Sequence, residues 1–398
     1  AVATSAGVAM TVARPPRLKS LRAKAGVSIR AVVWCASALV LVGCTAVVDT
    51  ATPVAIAPSP VFEGQLPEKF PALGTAIAGD PDVIHDENGY RMYYACYGIA
   101  EQGTEVCVAT SEDGIHWVDA SIGAHDGSAS SQILFGGGGT WDDGHETPFA
   151  VQSGANTLLY FAGYANARSG FFAGGPVSIG IAVSTDGVNF QTGREPVLRP
   201  TAGSLDDHGM TSPSVFDFTS STGAMLTGMT YTGWCLDPAP ACPRQSGGKT
   251  TALLGATSAD GGHTWEKWAD SLNLVPDDQL PPYAPNGIAE THVFPVPGET
   301  GPSTQWVMLF TAVGPDGPAS IGLATQTGRD PFGPWNFREG PLIAMEDLAA
   351  WPLGPDATET RPVAPHGLIE NGTLKMWFAG EANGFRIGYA EGSWPLRQ

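Results

Sequence analysis

The sequence predicts an all-β chain folded as a five-bladed β-propeller, with four antiparallel strands in each blade. Three observations predict this fold: a recurring Asp-Gly turn, five apolar segments at nearly even spacing, and the lack of a sustained helical period of apolar residues. Radial repetition of small sheets is one way in which an all-β chain avoids long exposed strand edges.

The Asp-Gly turn occurs as SEDGIHW (111–117), STDGVNF (184–190) and SADGGHTW (258–265). Its glycine supplies a positive φ, and its aspartate can accept hydrogen bonds from loop amides. We expect the turn to join the third and fourth strands of a blade. Aromatic residues that follow the turns are expected to pack between blades, namely Trp117, Phe190, Trp265 and Trp335.

An apolar segment with a matched alanine marks each of the five units. The alanines are Ala109, Ala182, Ala256, Ala324 and Ala390, at spacings of 73, 74, 68 and 66 residues. In each unit a short strand comes first, usually with proline, an aromatic or apolar strand second, the alanine strand third and the strand after the turn fourth. The predicted first strands are 80–84, 147–151, 212–216, 291–296 and 361–365.

The N-terminal segment resembles an export signal. Residues 1–43 hold six Lys/Arg and no acidic residue, and an apolar run ends at Leu41-Val42-Gly43-Cys44, which resembles a bacterial lipoprotein box. We therefore expect a signal peptide over 1–43, lipidation of Cys44, a flexible tether over 44–70 and a propeller over 71–398. An ordinary secreted protein, in which Cys44 is incidental, is the alternative.

Composition narrows the classes of partner. The full chain has a formal net charge of −19, and removal of the leader leaves 14 basic against 39 acidic residues, a net charge of −25. Such a charge gives no electrostatic reason to bind nucleic acid or an anionic surface, and it suits a neutral or cationic ligand. We expect a monomer that contacts the membrane only through its lipid anchor.

Four further cysteines form two close pairs. In an exported chain, local disulfides are the simplest pairing, namely Cys96–Cys107 and Cys235–Cys242. Four free thiols are the alternative. No clustered Cys/His spacing indicates a zinc site, and neither a metal nor a cofactor is expected.

The blade pattern, with DPDV at the first inner strand and the Asp-Gly turn before tryptophan, resembles the five-bladed propeller glycosidases, over residues 75–395. These are the family 43 arabinanases and xylosidases, with levansucrases, invertases and mannoside phosphorylases as relatives. SADGGHTW also matches the Asp-box turn of sialidases, but the acidic charge disfavours an anionic sugar.

The resemblance implies an active site at the starts of the innermost strands, around a central funnel. Glycoside cleavage requires one carboxylate to activate water or to attack the sugar, and a second carboxylic acid to protonate the leaving oxygen. The predicted catalytic residues are Asp80, Glu146, Glu290 and Asp207. The predicted substrate-binding residues are Asp82, Asp143, His145, His208, His292, Glu359, Arg361 and Trp141.

The resemblance assigns to Asp80 the role of general base or nucleophile. The chain departs from the family at two places: Phe149 stands where the second blade tends to carry an acid, and TSPSV (211–215) lacks the glutamate of the third blade. The expected function is thus an exported hydrolase of a neutral poly- or oligosaccharide. A propeller lipoprotein that binds glycan or protein without catalysis is the alternative, and a phosphorylase-like or sialidase-like enzyme is a further one.

Overall fold

The computed structural model describes thirteen ranges of the chain. They are 54–63, 78–97, 104–120, 122–123, 129–130, 133–134, 141–165, 176–235, 251–268, 273–298, 303–351, 358–382 and 384–396. Residues 51–398 form one compact unit. The predicted signal peptide and Cys44 lie outside the described residues. Within the described ranges, no helix has the length and apolar character needed to cross a bilayer.

Five antiparallel sheets form the blades of this unit; four of them have four strands and that of blade four has five. The first strand, β1, is Ala55–Ile56. Blade one has β2 (Gly79–Asp86), β3 (Gly89–Tyr97), β4 (Thr104–Ser111) and β5 (Val118–Asp119), and a separate pair follows it, β6 (Ile122–Gly123) and β7 (Ala129–Ser130).

Blade two has β8 (Gly144–Ser153), β9 (Asn156–Tyr164), β10 (Ser178–Ser184) and β11 (Gln191–Thr192). Blade three has β12 (Gly209–Thr219), β13 (Met225–Trp234), β14 (Thr251–Ser258) and β15 (Glu266–Lys267).

The last two blades complete the ring. Their strands are β16 (Gly287–Pro295), β17 (Gln305–Gly314), β18 (Gly317–Thr327), β19 (Asn336–Phe337) and β20 (Ile343–Ala344) in blade four, and β21 (Arg361–Glu370), β22 (Thr373–Glu381) and β23 (Phe385–Ser393) in blade five. Two single-turn 3-10 helices occupy Asp277–Gln279 and Met345–Leu348. The predicted all-β, five-bladed architecture is confirmed. Four of the predicted first strands lie within the innermost strand of their blade, and the fifth, 291–296, extends one residue past it.

The outer strand of blade five differs from the prediction. It is β1, whose Ala55 pairs with Glu391 and whose Ile56 pairs with Ala390. Val54 is buried against the same blade, and the Trp351 Nε1–H donates to the carbonyl of Ala57 at 3.2 Å. The predicted tether over 44–70, with a propeller beginning at 71, is therefore wrong for residues 54–63. A strand of two residues is too short to show an alternating pattern, so the proline- and alanine-rich composition hid it.

The Asp-Gly turns connect neighbouring blades. In the first turn the Gly114 N–H donates to the Ser111 hydroxyl at 2.9 Å. The Gly114 carbonyl faces blade five and accepts from the Trp377 Nε1–H at 2.7 Å. The next two turns repeat this arrangement. Their carbonyls accept from tyrosine hydroxyls of the preceding blade, with Tyr93 to Gly187 at 2.9 Å and Tyr160 to Gly262 at 3.1 Å.

The aromatic residues after these turns pack on the same donors, as predicted. Ring centroids are 6.4 Å apart for Trp117 and Trp377, 5.8 Å for Phe190 and Tyr93, and 5.9 Å for Trp265 and Tyr160. Trp335 is buried in a cluster that joins side chains of blades three and four. The core therefore lies between blades, and the turns help to set their order around the ring.

The first predicted disulfide is confirmed. Cys96 and Cys107 are bonded and join the adjacent strands β3 and β4. Cys235 is also disulfide-bonded. Its predicted partner, Cys242, lies outside the described residues.

Closure of the ring by β1 leads to a test by truncation. We expect a chain that begins at residue 64 to have a lower melting temperature than one that begins at 52, because it loses the pairing with β23 and the burial of Val54. Differential scanning calorimetry of the two chains measures the effect. Equal melting temperatures would contradict a structural role for this strand.

Candidate active site

Each innermost strand carries a β-bulge at the same place. The register shifts fall between Gly79 and Asp82, Glu146 and Phe149, Thr211 and Ser214, Ala289 and His292, and Val363 and His366. One residue of each bulge has a left-handed backbone, with φ between 47° and 51°. These five residues are Asp80, Thr147, Ser212, Glu290 and Ala364. Proline follows four of them. The extra residue of a bulge is unpaired, so a proline there, which has no N–H, costs the sheet no hydrogen bond.

The bulge aims backbone amides at the preceding blade. The Ser212 N–H donates to the Thr147 hydroxyl at 2.9 Å, and the Ala364 N–H donates to Glu290 Oε2 at 3.0 Å. The Thr147 N–H donates in the same way to the Asp80 carboxylate. The left-handed residues thus form a ring around the axis in which side chains of one blade are held by amides of the next.

A cavity of about 550 Å³ opens on this ring, a size usual for ligand sites. Three carboxylic residues line it, namely Asp80 from blade one, Glu146 from blade two and Glu290 from blade four. Hydroxyl side chains and the apolar side chains of Trp234, Val313 and Phe385 form much of the remaining wall. The structure therefore brings together three of the four predicted catalytic residues.

Glu146 is held from both neighbouring strands. The Thr104 hydroxyl of β4 contacts its Oε1, and this hydroxyl lies 2.7 Å from the hydroxyl of Tyr164, at the end of β9. Burial raises the pKa of Glu146 to about 7, although the two hydroxyls lower it. Its carboxyl group thus exchanges its proton near neutral pH.

Glu290 and Asp80 are half-buried at the cavity, so ionisation of either carboxyl group costs desolvation free energy. Burial raises the pKa of Glu290, while the Thr311 hydroxyl, 2.6 Å from Oε2, and the Ala364 amide lower it. Burial raises the pKa of Asp80 well above its ordinary range, and the charges of Glu290 and Glu146 raise it further. The raised pKa values of the three carboxyl groups favour the retention of protons in this cluster.

A narrow void of about 40 Å³ continues along the axis from the ring. Asp82 lines it and is fully buried: its Oδ2 accepts from the Ala150 N–H at 2.8 Å, and its Oδ1 lies 3.1 Å from His366 Nδ1. His292 accepts from the Gly367 N–H at 2.9 Å through Nδ1, so its neutral ring carries hydrogen on Nε2. Burial, together with the stacked His366 at 3.9 Å, lowers the pKa of His292.

Both predicted substrate-binding residues at this void, Asp82 and His292, therefore form contacts that hold neighbouring blades together. Asp82 links blade one to blades two and five, and His292 links blade four to blade five. Neither lines the large cavity where the three carboxylic residues meet.

The other predicted residues lie away from the cavity lining, within the part of the chain that the structure describes. Asp207 is in the loop before β12, and Asp143 is buried in the turn before β8. Trp141 stacks on Phe161, at 5.9 Å between ring centroids, and donates to the Arg194 carbonyl. The structure thus gives Trp141 a packing role.

Two of the predicted histidines, His145 and His208, and the charged pair near β21 lie behind the residues that line the cavity. His145 is fully buried and bonds Glu105 through Nδ1, and His208 lies 4.7 Å from the ring of Trp234, which lines the cavity. Arg361 and Glu359 form an ion pair at the start of β21. The Arg361 guanidinium also reaches the carbonyl of Asp316, next to the cavity residue Gly317.

Sequence reasoning missed three supporting groups. Candidates were expected at the starts of the innermost strands, and these three residues lie elsewhere: Thr104, Thr311 and Glu105. A threonine and a glutamate in regular strands carry no local signal of such a role. Their contacts depend on which strand of the next blade lies opposite.

Comparison with known proteins gives the fold. No protein-family model matches the chain, and no curated protein matches its sequence. Many solved structures share its architecture. One described as a glycoside hydrolase has a TM-score of 0.56 at 14% identity, covering 86% of this chain and 94% of that one. A thermostable family-43 glycoside hydrolase gives 0.51 at 14% identity, covering 80% and 89%. A β-1,2-mannobiose phosphorylase from Listeria innocua gives 0.55 at 12% identity, covering 80% and 90%.

These likenesses confirm the predicted resemblance to the five-bladed propeller glycosidases at the level of the fold. Most of these structural neighbours are glycoside hydrolases, so the architecture is one that carbohydrate-active enzymes use. Identities of 12–14% carry no residue roles to this chain.

The position of Asp82 predicts a cost in stability. Asp82→Ala leaves the buried Ala150 N–H without its acceptor and removes the partner of His366. We expect the free energy of unfolding to fall by about 1–3 kcal/mol, which lowers the melting temperature by a few degrees. Ser214→Ala is the matched change in blade three, because Ser214 follows the bulge there as Asp82 follows the bulge in blade one. The Ser214 hydroxyl likewise accepts from a backbone amide, the Val293 N–H, at 2.9 Å. An unchanged melting temperature in Asp82→Ala would refute the linking role.

The raised pKa of Glu146 predicts that Glu146→Gln stabilises the protein at high pH. The carboxyl binds its proton more tightly in the folded chain, about 7 against 4.5, so ionisation costs stability as the pH rises through this interval. The cost is at most roughly 3 kcal/mol, less what cavity water screens. The gain in melting temperature of Glu146→Gln should be near zero at pH 4 and should reach a plateau above pH 7. A gain that does not depend on pH would contradict the burial of this charge.

Proposed function

We propose that the chain is a glycoside hydrolase acting on a neutral poly- or oligosaccharide. The observation that carries the proposal is the meeting of Asp80, Glu146 and Glu290 at one cavity. A cluster that shares protons offers a carboxylate and a carboxylic acid together, and glycoside hydrolysis needs this pair. The net charge of −25 after loss of the leader supports an uncharged substrate.

The roles follow from the contacts and from the resemblance. Asp80 is the proposed base or nucleophile. Burial and the charges of Glu290 and Glu146 raise its pKa, and the Thr147 N–H opposes part of that rise. Glu146, with a pKa of about 7, is the proposed proton donor to the leaving oxygen. Glu290 is the third acid, and its charge raises the pKa of Asp80.

A panel of arabinan, xylan, arabinogalactan and mannan tests the activity through the release of reducing sugar. We expect Asp80→Asn to lower the rate at least about 10²-fold, because it removes the base or nucleophile while changing few atoms. Asp82→Asn is the matched control, since it alters the same strand beside the narrow void and should affect the rate less.

Near-normal turnover in Asp80→Asn would move the assignment to Glu146 and Glu290. Well-folded protein that binds a glycan without turning it over, with the same affinity in Asp80→Ala, would instead favour a non-catalytic binding propeller.

A glycoside phosphorylase is the second candidate. Its support is the shared fold with the β-1,2-mannobiose phosphorylase, and the position of Arg361 beside Gly317 at the cavity. A phosphorylase requires a cation for phosphate, whereas Arg361 is already paired with Glu359. Activity that depends on added phosphate would favour this candidate over hydrolysis.

We also propose that the protein is exported and anchored through a lipid on Cys44. The basic and apolar order of residues 1–43 and the Leu-Val-Gly-Cys ending support it. The Cys96–Cys107 disulfide is in keeping with an oxidising compartment. Metabolic labelling with a fatty acid, with Cys44→Ala as control, tests the anchor.

A further inference from the structure

Glu146 ends a chain of three polar groups drawn from two blades. Tyr164, at the end of β9, is 1% exposed, and its hydroxyl lies 2.7 Å from the hydroxyl of Thr104, which begins β4. The Thr104 hydroxyl in turn contacts Glu146 Oε1. The Tyr164 oxygen also accepts from the Thr104 N–H at 3.4 Å, so both side chains are fixed to the same backbone position.

We propose that Thr104 and Tyr164 are positioning residues that hold Glu146 through a reversible chain of hydroxyls, which serves its carboxyl group in both protonation states. This inference rests on the proposed function, in which Glu146 gives up and regains a proton in each cycle. A group with that task needs partners that can both donate and accept.

The two states differ only in the direction of the hydrogen bonds. With Glu146 ionised, the Tyr164 hydroxyl donates to the Thr104 oxygen, and the Thr104 hydroxyl donates to the carboxylate. With Glu146 protonated, its O–H donates to the Thr104 oxygen, and the Thr104 hydroxyl donates to the Tyr164 oxygen. The Tyr164 O–H then donates to the Glu146 carboxyl group, to which Tyr164 also hydrogen-bonds directly. Each hydroxyl is one donor and two acceptor sites, so the reversal needs only rotation of hydroxyl hydrogens. A backbone amide or an arginine, which only donates, would serve the ionised state alone.

A buried pair behind the chain fixes the same strands. Glu105 follows Thr104, His145 precedes Glu146, and these two side chains bond each other with exposures of 3% and 0%. Since neighbouring residues of a strand point to opposite faces, the pair lies on the far side from the cavity. The titratable groups around Glu146 are therefore Asp80 and Glu290 on the cavity side, and Glu105 and His145 behind. The hydroxyls are the groups among these contacts that lower its pKa.

The experiment measures the melting temperature of Glu146→Gln minus that of its parent, from pH 4 to 9. In the native background this difference should rise with pH and become constant near pH 7. In Tyr164→Phe and in Thr104→Val backgrounds, the ionised form loses a donor, so the plateau should begin about one pH unit higher.

Two further backgrounds separate positioning from packing. Thr104→Ser retains the hydroxyl and should keep the plateau near pH 7. Tyr160→Phe removes another buried hydroxyl from β9, one that bonds Gly262 and not Glu146, and should also leave the plateau unchanged. A plateau that stays at pH 7 in Tyr164→Phe and Thr104→Val overturns the inference, as does an equal shift in Tyr160→Phe or a difference that is flat with pH.

The measurement requires no turnover, so it is independent of the proposed function. If the plateau shifts as expected while no glycan is cleaved, the hydroxyl chain stands and the hydrolase proposal fails. If glycan is cleaved, the alkaline limb of the pH profile of kcat/KM should move upward by the same amount in Tyr164→Phe.

Discussion

A left-handed residue at the bulge of every innermost strand is the constraint on which the site depends. A non-glycine residue in this conformation costs about 1–2 kcal/mol, and five blades repeat it with φ between 47° and 51°. The bulge turns backbone N–H groups toward the preceding blade, where hydroxyl and carboxylate side chains accept from them. These bonds between blades offset the backbone cost and fix Asp80 and Glu290 at the same height around the axis.

The electrostatics of the cavity follow from that ring. Because Asp80 and Glu290 are ring residues and Glu146 is the residue before one, three acids from separate blades open on one cavity. Burial makes each carboxylate costly, and hydroxyls and amides from adjacent blades recover part of the cost. The same arrangement that weakens the fold near neutral pH keeps protons available at the site. This conflict between stability and chemistry is common at functional sites.

The regular part of the fold could be predicted because it repeats. The turn needs Asp and Gly for local backbone reasons, and the alanine strand needs a small residue where blades approach, so both reappear about every 70 residues. The strand Ala55–Ile56 could not be found in this way. It has no turn beside it and no repeat of its own, and its position depends on the free edge of β23, more than 300 residues along the chain.

The sequence by itself determined the five blades, the order of strands within four of them, one local disulfide and the strand starts at which acids gather. It could not decide which of those acids meet. In a regular strand Asp80 and Asp82 would share a face, and Glu146 and Thr147 would point to opposite faces. The bulges break this alternation, so that Glu146 and Thr147 both line the cavity while Asp82 is bound to the Ala150 amide beside the narrow void. Only the tertiary structure decides such directions, because a bulge and its contacts with the next blade depend on residues distant in sequence.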